Sequence, residues 1–480
     1  MDYDEVTSFL GEWGAFQKAM FLLLSLSTVP NGYAGMAMVF LADTPDHHCQ
    51  LPHLDTSWQQ HNLSLSPSLP LEERAGGQWA LSRCQRYRRA NSTGTGFSNS
   101  TEGCLDGWHF DRKQYQSTIV TEWSLVCGDS WKVPFSLSVF FMGVLSGSFV
   151  SGQISDRFGR KVTLFITMAV QTVFSLVQVF SVSWVMFCIL FYLVGLGQIS
   201  NYVAAFVLGS ELLGKSSRVT FSTLGVCVFY ALGYAVLPLC AYFIRSWRVL
   251  LAVLSLPGLL YIPLWWLIPE SPRWLLAQGR IEEAEAIVRA AARKNRVTAP
   301  ALIFKDHELQ GTNDHSHDVQ YTYMDLVRTS KMRNVTFLHA VVWFIITISY
   351  FGLSLNTPNM NGDPYLNCFL SALVEIVAYV VAWLLLKLVP RRAVVTVPML
   401  MGGLVLCLIH FVPQGVYDKT LPYIVMGLMT LVAGLLSILL PETGGMPLPQ
   451  QVSEVQTLNW FCTKCKPPAE KKLPEEDGHL

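Results

Sequence analysis

Charge is scarce in this chain. Only 14% of its 480 residues are Asp, Glu, Lys or Arg, against about 25% in soluble domains. The 34 basic and 34 acidic residues cancel, so nothing draws the chain toward nucleic acid, and no such partner is expected. The acidic start, Met1 to Glu5, lacks the basic region of a cleaved signal peptide, so the first apolar run is expected to serve as an uncleaved anchor. Cys462 and Cys465 form a lone pair in the tail with no second pair nearby; structural zinc needs four ligands, so no metal is expected there. No arrangement for covalent or metal catalysis is found, so the chain is not expected to be an enzyme.

Apolar sequence is what it has. Hydrophobic residues make up 51%, in ten runs long enough to cross a bilayer, near 15–42, 132–154, 162–180, 184–208, 219–242, 248–268, 334–355, 364–388, 393–412 and 422–440. The fold class is therefore an all-α polytopic membrane protein. Its expected parts are a first transmembrane half (1–268), a linker (269–333), a second half (334–442) and a tail (443–480). In the linker, Arg280 to Arg296 reads as an amphipathic helix with Ile281, Ala284, Val288 and Ala291 on its apolar face. Residues 306–318, with His307, His315 and His317, read as a solvated loop.

Two independent signals orient the bundle. Arg157, Arg160 and Lys161 follow span 2, Lys215 and Arg218 follow span 4, and Lys387, Arg391 and Arg392 follow span 8, which places those loops and both termini in the cytoplasm. The polar stretch 43–131 then lies outside. It holds three glycosylation sequons, at Asn62, Asn91 and Asn99, and four cysteines, Cys49, Cys84, Cys104 and Cys127. Those cysteines are disulfide candidates in any of three pairings. Asn334 also fits a sequon but falls on the cytoplasmic side.

Polar groups recur inside the runs. Gln198, Asn201 and Tyr202 share one side of span 4 at i, i+3 and i+4. Trp343, Thr347 and Tyr350 share a side of span 7, and Cys368, Ser371 and Glu375 a side of span 8, with Tyr379 one turn on. Amides in membrane helices also serve to bridge neighbouring helices, and aromatics to pack. An acid at mid-span is functional by default, so Glu375 is the central candidate. With Tyr202, Tyr350 or Trp343 it suits a quaternary ammonium group, each aromatic face adding about 0.5–2 kcal/mol. Asn31, after Pro30 in span 1, marks either a kink or unwound backbone able to hold sodium.

The loop Gly152-Gln-Ile-Ser-Asp156-Arg157-Phe-Gly159-Arg160-Lys161 joins spans 2 and 3. Its glycines allow a tight turn, and Asp156 can cap a helix or pair with an arginine, as a latch would. Here the chain resembles the major facilitator superfamily. Pro269-Glu270-Ser271-Pro272-Arg273-Trp274-Leu275, the large cysteine-bearing loop and Ser117-Thr-Ile-Val-Thr-Glu122-Trp123-Ser-Leu-Val-Cys127 narrow the likeness to its organic ion transporter branch. Phe9-Leu10-Gly11-Glu12-Trp13-Gly14, Gly197 to Ala205 and Tyr350-Phe351-Gly352-Leu353 are similar to the organic cation/carnitine transporters. The resemblance implies twelve spans, six plus six. The second half here has four, and the family's tenth and eleventh spans are missing between Val412 and Leu421.

What the resemblance implies is uptake of carnitine and related organic cations across the plasma membrane by alternating access, with sodium as a candidate coupling ion. A transport-inactive form bound to a full-length transporter, and a cation uniporter or exchanger, are the alternatives. Gly209-Ser-Glu-Leu-Leu-Gly214-Lys215-Ser216 also fits the phosphate-loop pattern, for which ATP is a weak motif match. The preferred reading of that stretch is a cytoplasmic hinge in which Glu211, Lys215 and Arg218 exchange ion pairs.

Overall fold

A computed structural model describes residues 3–50, 69–74, 78–89, 97–300, 303–304, 325–357, 362–408, 421–440 and 442. Asn62, Asn91, His307, His315, His317, Cys462 and Cys465 lie outside the described residues, as do the side chains of Asn99, Lys215 and Ser216.

Among the described residues, eight helices are long and apolar enough to cross a membrane. They are Cys127–Phe158, Arg160–Gln178, Trp184–Leu212, Ser217–Phe243 and Trp247–Leu267, then Met332–Ser354, Pro364–Leu388 and Arg391–Leu408. These correspond to expected spans 2 to 9. Leu421–Ser437, the tenth, is shorter.

The first span is not one helix. It runs as Ala15–Leu26, Val29–Met36 and Met38–Leu41. The break precedes Pro30 because Ser27 and Thr28 turn their hydroxyls back onto the carbonyls of Leu24 and Ser25, each at 2.7 Å. Span 5 contains a seven-residue π-helical segment, Phe221–Cys227. Spans 1 and 5 cross closely at Gly32 and Gly233: a Cβ on either would collide with a backbone carbonyl, that of Tyr230 or of Val29. Met36, Phe40, Phe140, Phe187, Tyr234 and Trp247 share the largest buried apolar cluster.

The loop after span 1 carries short strands, which an all-helical reading did not foresee. They are β1 (His47–Cys49), β2 (Leu71–Arg74), β3 (Gln78–Leu81), β4 (Gln85–Arg89), β5 (Phe97–Gly103) and β6 (Trp108–Phe110). They form three antiparallel pairs, β1–β6, β2–β3 and β4–β5. Disulfides join Cys49 to Cys104 and Cys84 to Cys127. Cross-links of this kind hold a segment whose apolar core is too small to fold alone.

The expected linker helix spans Ile281–Asn295 and buries Ala284, Val288 and Ala291. Ala284 and Val288 pack with Trp274, Leu275 and Phe304, and with Tyr3, Val6, Phe9 and Leu10 of the N-terminal segment. The residues group into two compact units. One takes in Met1–Val319 and Tyr350–Lys387; the other takes in Gln320–Ser349, Leu388–Gln414 and Lys419–Leu480. In the second unit Thr396 and Ser437 hydrogen-bond at 2.7 Å, Ser349 and Thr430 at 2.9 Å, and Glu442 accepts the amides of Arg391 and Arg392.

Candidate functional site

Glu375 lies midway along span 8, with Tyr379 one turn further on the same face. Tyr379 donates its hydroxyl to Glu375 Oε1 at 2.7 Å, and Tyr350 of span 7 donates to Oε1 and Oε2 at 3.1 and 3.3 Å. Among the described residues no basic side chain pairs with this carboxylate. The phenol of Tyr230 in span 5 lies within electrostatic reach of both Glu375 and Tyr350. The Tyr202 ring of span 4 meets Tyr230 edge-on at 6.3 Å, and its hydroxyl sits 3.9 Å from Cys227 Sγ. Tyr202, Tyr230, Tyr350 and Tyr379, all in one compact unit, thus bring phenols to an acid. Phenolic donors can hold a carboxylate in place by charge-assisted bonds, while their ring faces remain attractive to an organic cation.

A second polar group fills the break in span 1. Gln198 donates to Asn31 O at 2.9 Å, and Asn201 donates to Ser27 O at 3.2 Å and to Asn31 Oδ1 at 3.3 Å. Asn31 and Asn201 are 0% and 1% exposed. Asn201 Oδ1 and Ser25 Oγ are buried there without a partner. Asn31 Nδ2 is likewise buried without a partner, so the amides of span 4 bridge to span 1 at its break.

The loop between spans 2 and 3 is anchored by a residue the sequence reading left out of the latch. Glu270 Oε1 accepts the amides of Arg160, Lys161 and Ser271 at 2.9, 3.0 and 3.0 Å. It thereby places negative charge at the N-terminus of span 3. Gly159 turns the chain with φ +102°, and a Cβ there would strike the Glu270 carboxylate. Arg160 pairs with Asp156 at 2.9 Å and with Glu211 at 3.2 Å. Lys161 sits over the Trp265 ring at 4.7 Å and Arg157 over Phe158 at 5.7 Å. Nothing crowds Gly152.

In this structure Glu211 pairs with Arg160, and Arg218 is held elsewhere. It binds Asp4 at 2.6 Å and the Ser210 carbonyl at 2.6 Å, because the N-terminal segment folds back onto the loop. The phosphate-loop pattern lies on helices. Gly209 lies inside the helix Trp184–Leu212, where a Cβ would meet Phe221, and Gly214 precedes the six-residue helix Lys215–Thr220. A phosphate cradle needs a strand before the loop, and a membrane helix stands in its place.

The model of the sugar (and other) transporter family matches residues 95–460. Organic cation/carnitine transporter 2 of Mus musculus is 47% identical over 532 positions, covering 95% of this chain and 94% of that protein. The chain belongs to this transporter family. Solute carrier family 22 member 4 of Mus musculus is 46% identical, covering 96% of each. The solved proton:xylose symporter XylE, bound to 6-bromo-6-deoxy-D-glucose, shares the fold at TM-score 0.56 and 14% identity, covering 89% of this chain and 83% of that one. The transporter therefore has the major facilitator fold, and its relatives are carriers, not enzymes. The alignment to the mouse carnitine transporter has more positions, 532, than this chain has residues, 480. The relative holds segments with no counterpart here, as expected of a family member with a shortened second half.

The transporter's structure thus sorts the sequence candidates. Glu375, Tyr350 and Tyr202 come together, joined by Tyr379, Tyr230 and Cys227. Gln198 and Asn201 face Asn31 and take the helix-bridging role. Trp343 falls in the second unit and is 63% exposed. Tyr230 and Cys227 had no signal in the sequence: the π segment shifts the phase of span 5, so its helical spacing does not report which residues face span 4.

Proposed function

We propose that this transporter carries carnitine and related organic cations across the plasma membrane by alternating access, with sodium as the coupling ion. The observation that carries the reading is the Glu375 carboxylate, held by two tyrosine hydroxyls with no basic partner among the described residues. A carboxylate at membrane depth needs a counter-charge, and a quaternary ammonium group that enters supplies one. The phenol rings of Tyr350, Tyr202 and Tyr230 favour a soft cation over a small hydrated one. The names of the mouse relatives point to the same substrate class. Sodium is assigned to the break in span 1, where Asn201 Oδ1 is buried without a hydrogen-bond partner. We place the termini in the cytoplasm and the disulfide-linked loop outside, with glycans on it.

The deciding measurement is uptake of labelled carnitine by cells with verified surface expression, with sodium present and with sodium replaced by choline-free substitutes. Accumulation above mock cells is expected, and it is expected to fall without sodium. Sodium-independent accumulation favours a uniporter or exchanger. Accumulation no greater than mock rejects transport by this chain. The missing second-half segments favour one other reading, a transport-inactive form bound to a full-length transporter; co-precipitation with a full-length relative, together with no uptake, would establish it.

A further inference from the structure

We propose that His48 and His109 form a binding site for a divalent transition-metal ion of the zinc, nickel or copper(II) class. The two residues stand directly opposite each other on the β1–β6 ribbon. The register is fixed on both sides, by Asp111 N–H to Asp46 O at 2.8 Å and Gln50 N–H to Gly107 O at 2.9 Å. Strand alternation decides which way the side chains face. His47 and Cys49 are buried at 8% and 0% exposure, so His48 and His109 lie on the other face, shared with Asp46 and Asp111.

The ring geometry fits a shared ion. The His48 and His109 ring centres are 5.2 Å apart. Two imidazoles bound through nitrogen at about 2.0–2.1 Å to one tetrahedral ion have centres about 5 Å apart. The Cys49–Cys104 disulfide pins the backbone next to His48, which lowers the entropic cost of holding the two strands in register. Asp46 is paired with Arg83, and Asp111 Oδ1 accepts the Lys113 amide at 3.0 Å. Neither carboxylate is therefore counted as a ligand, and the two imidazoles are the protein ligands proposed. Imidazole ligands select zinc, nickel and copper over calcium and magnesium. With two protein ligands instead of four, the affinity belongs in the micromolar range, roughly 1–100 μM. The nearby group His47, Cys84 and Cys127 does not compete, because its two sulfurs are joined in a disulfide.

The test is calorimetric titration of zinc and nickel into the purified full chain, prepared without a polyhistidine tag and stripped with chelator. One saturable micromolar site is expected, and His48→Gln and His109→Gln are each expected to weaken it at least tenfold. Titrations that match the native chain in both variants overturn the proposal, and so does the lack of saturable binding below millimolar metal. Copper(II) at one equivalent gives a second readout: its electron paramagnetic resonance spectrum is expected to show coupling to two imidazole nitrogens in the native chain and in a His315→Gln, His317→Gln chain, and to fewer in His48→Gln; coupling lost with His315 and His317, or unchanged in His48→Gln, overturns the assignment.

Discussion

The charge on Glu375 and the hydroxyls that hold it separate cleanly by substitution. Glu375→Gln keeps the shape and removes the charge. Hydrogen bonds and contacts to a charged group contribute about 1.5–3 kcal/mol, so affinity for a quaternary ammonium ligand is expected to fall roughly ten- to hundredfold. Tyr379→Phe leaves the charge, removes the 2.7 Å donor and is expected to weaken binding only a few-fold. Competition by tetraethylammonium for labelled carnitine measures both; equal affinity in Glu375→Gln and native protein removes the counter-charge role. This pairing of acid and phenols was partly legible in the sequence, because Glu375 and Tyr379 stand at i and i+4 on span 8, whereas the contact with Tyr350 crosses from another helix, 25 positions away. The partners of Gln198 and Asn201 were not, since Ser27 lies 174 positions from Asn201 and no local pattern encodes that distance.

At the scale of elements, the turn between spans 2 and 3 depends on Gly159 and Glu270 together. A side chain at φ +102° costs about 1–3 kcal/mol, and a Cβ there also displaces the carboxylate that accepts three amides. Gly159→Ala is therefore expected to lower the thermal midpoint by several degrees, and Glu270→Gln by less, since an amide oxygen still accepts but carries no charge toward the helix terminus. Purified protein in detergent reports both; an unchanged midpoint in Gly159→Ala rejects the anchor. The glycine was readable in the motif. The glutamate was not, because its 110-residue separation from Arg160 hides the contact.

The end of span 1 carries a pH-dependent element. Burial holds the Asp43 carboxyl above the usual carboxylate range, against hydrogen bonds from Tyr115 and the Thr44 amide. The folded state thus binds this proton more tightly than the unfolded state does. Stability from this group is greatest in acid and is lost as pH rises from the unfolded pKa through the folded one. Asp43→Asn is expected to raise the thermal midpoint at neutral pH and to flatten its dependence on pH. A midpoint that falls in Asp43→Asn, with the slope retained, rejects this account.

At the scale of the whole molecule, the number of crossings turns on the last helix. Leu421–Ser437 has 17 residues, about 25 Å at 1.5 Å per residue, against a hydrocarbon core about 30 Å thick. Three further residues tighten the end, with Ile438, Leu439 and Leu440 donating to Leu435, Leu436 and Ser437. That carries an apolar rod through Leu440, and modest local thinning of the bilayer covers the remainder. We propose that all ten apolar runs cross, which puts both termini on the side of Arg157, Arg160, Lys161, Arg391 and Arg392. Epitope tags at either end are expected to be accessible to antibody only after permeabilisation. A C-terminal tag stained on intact cells, with the N-terminal tag still protected, means that the last helix fails to cross.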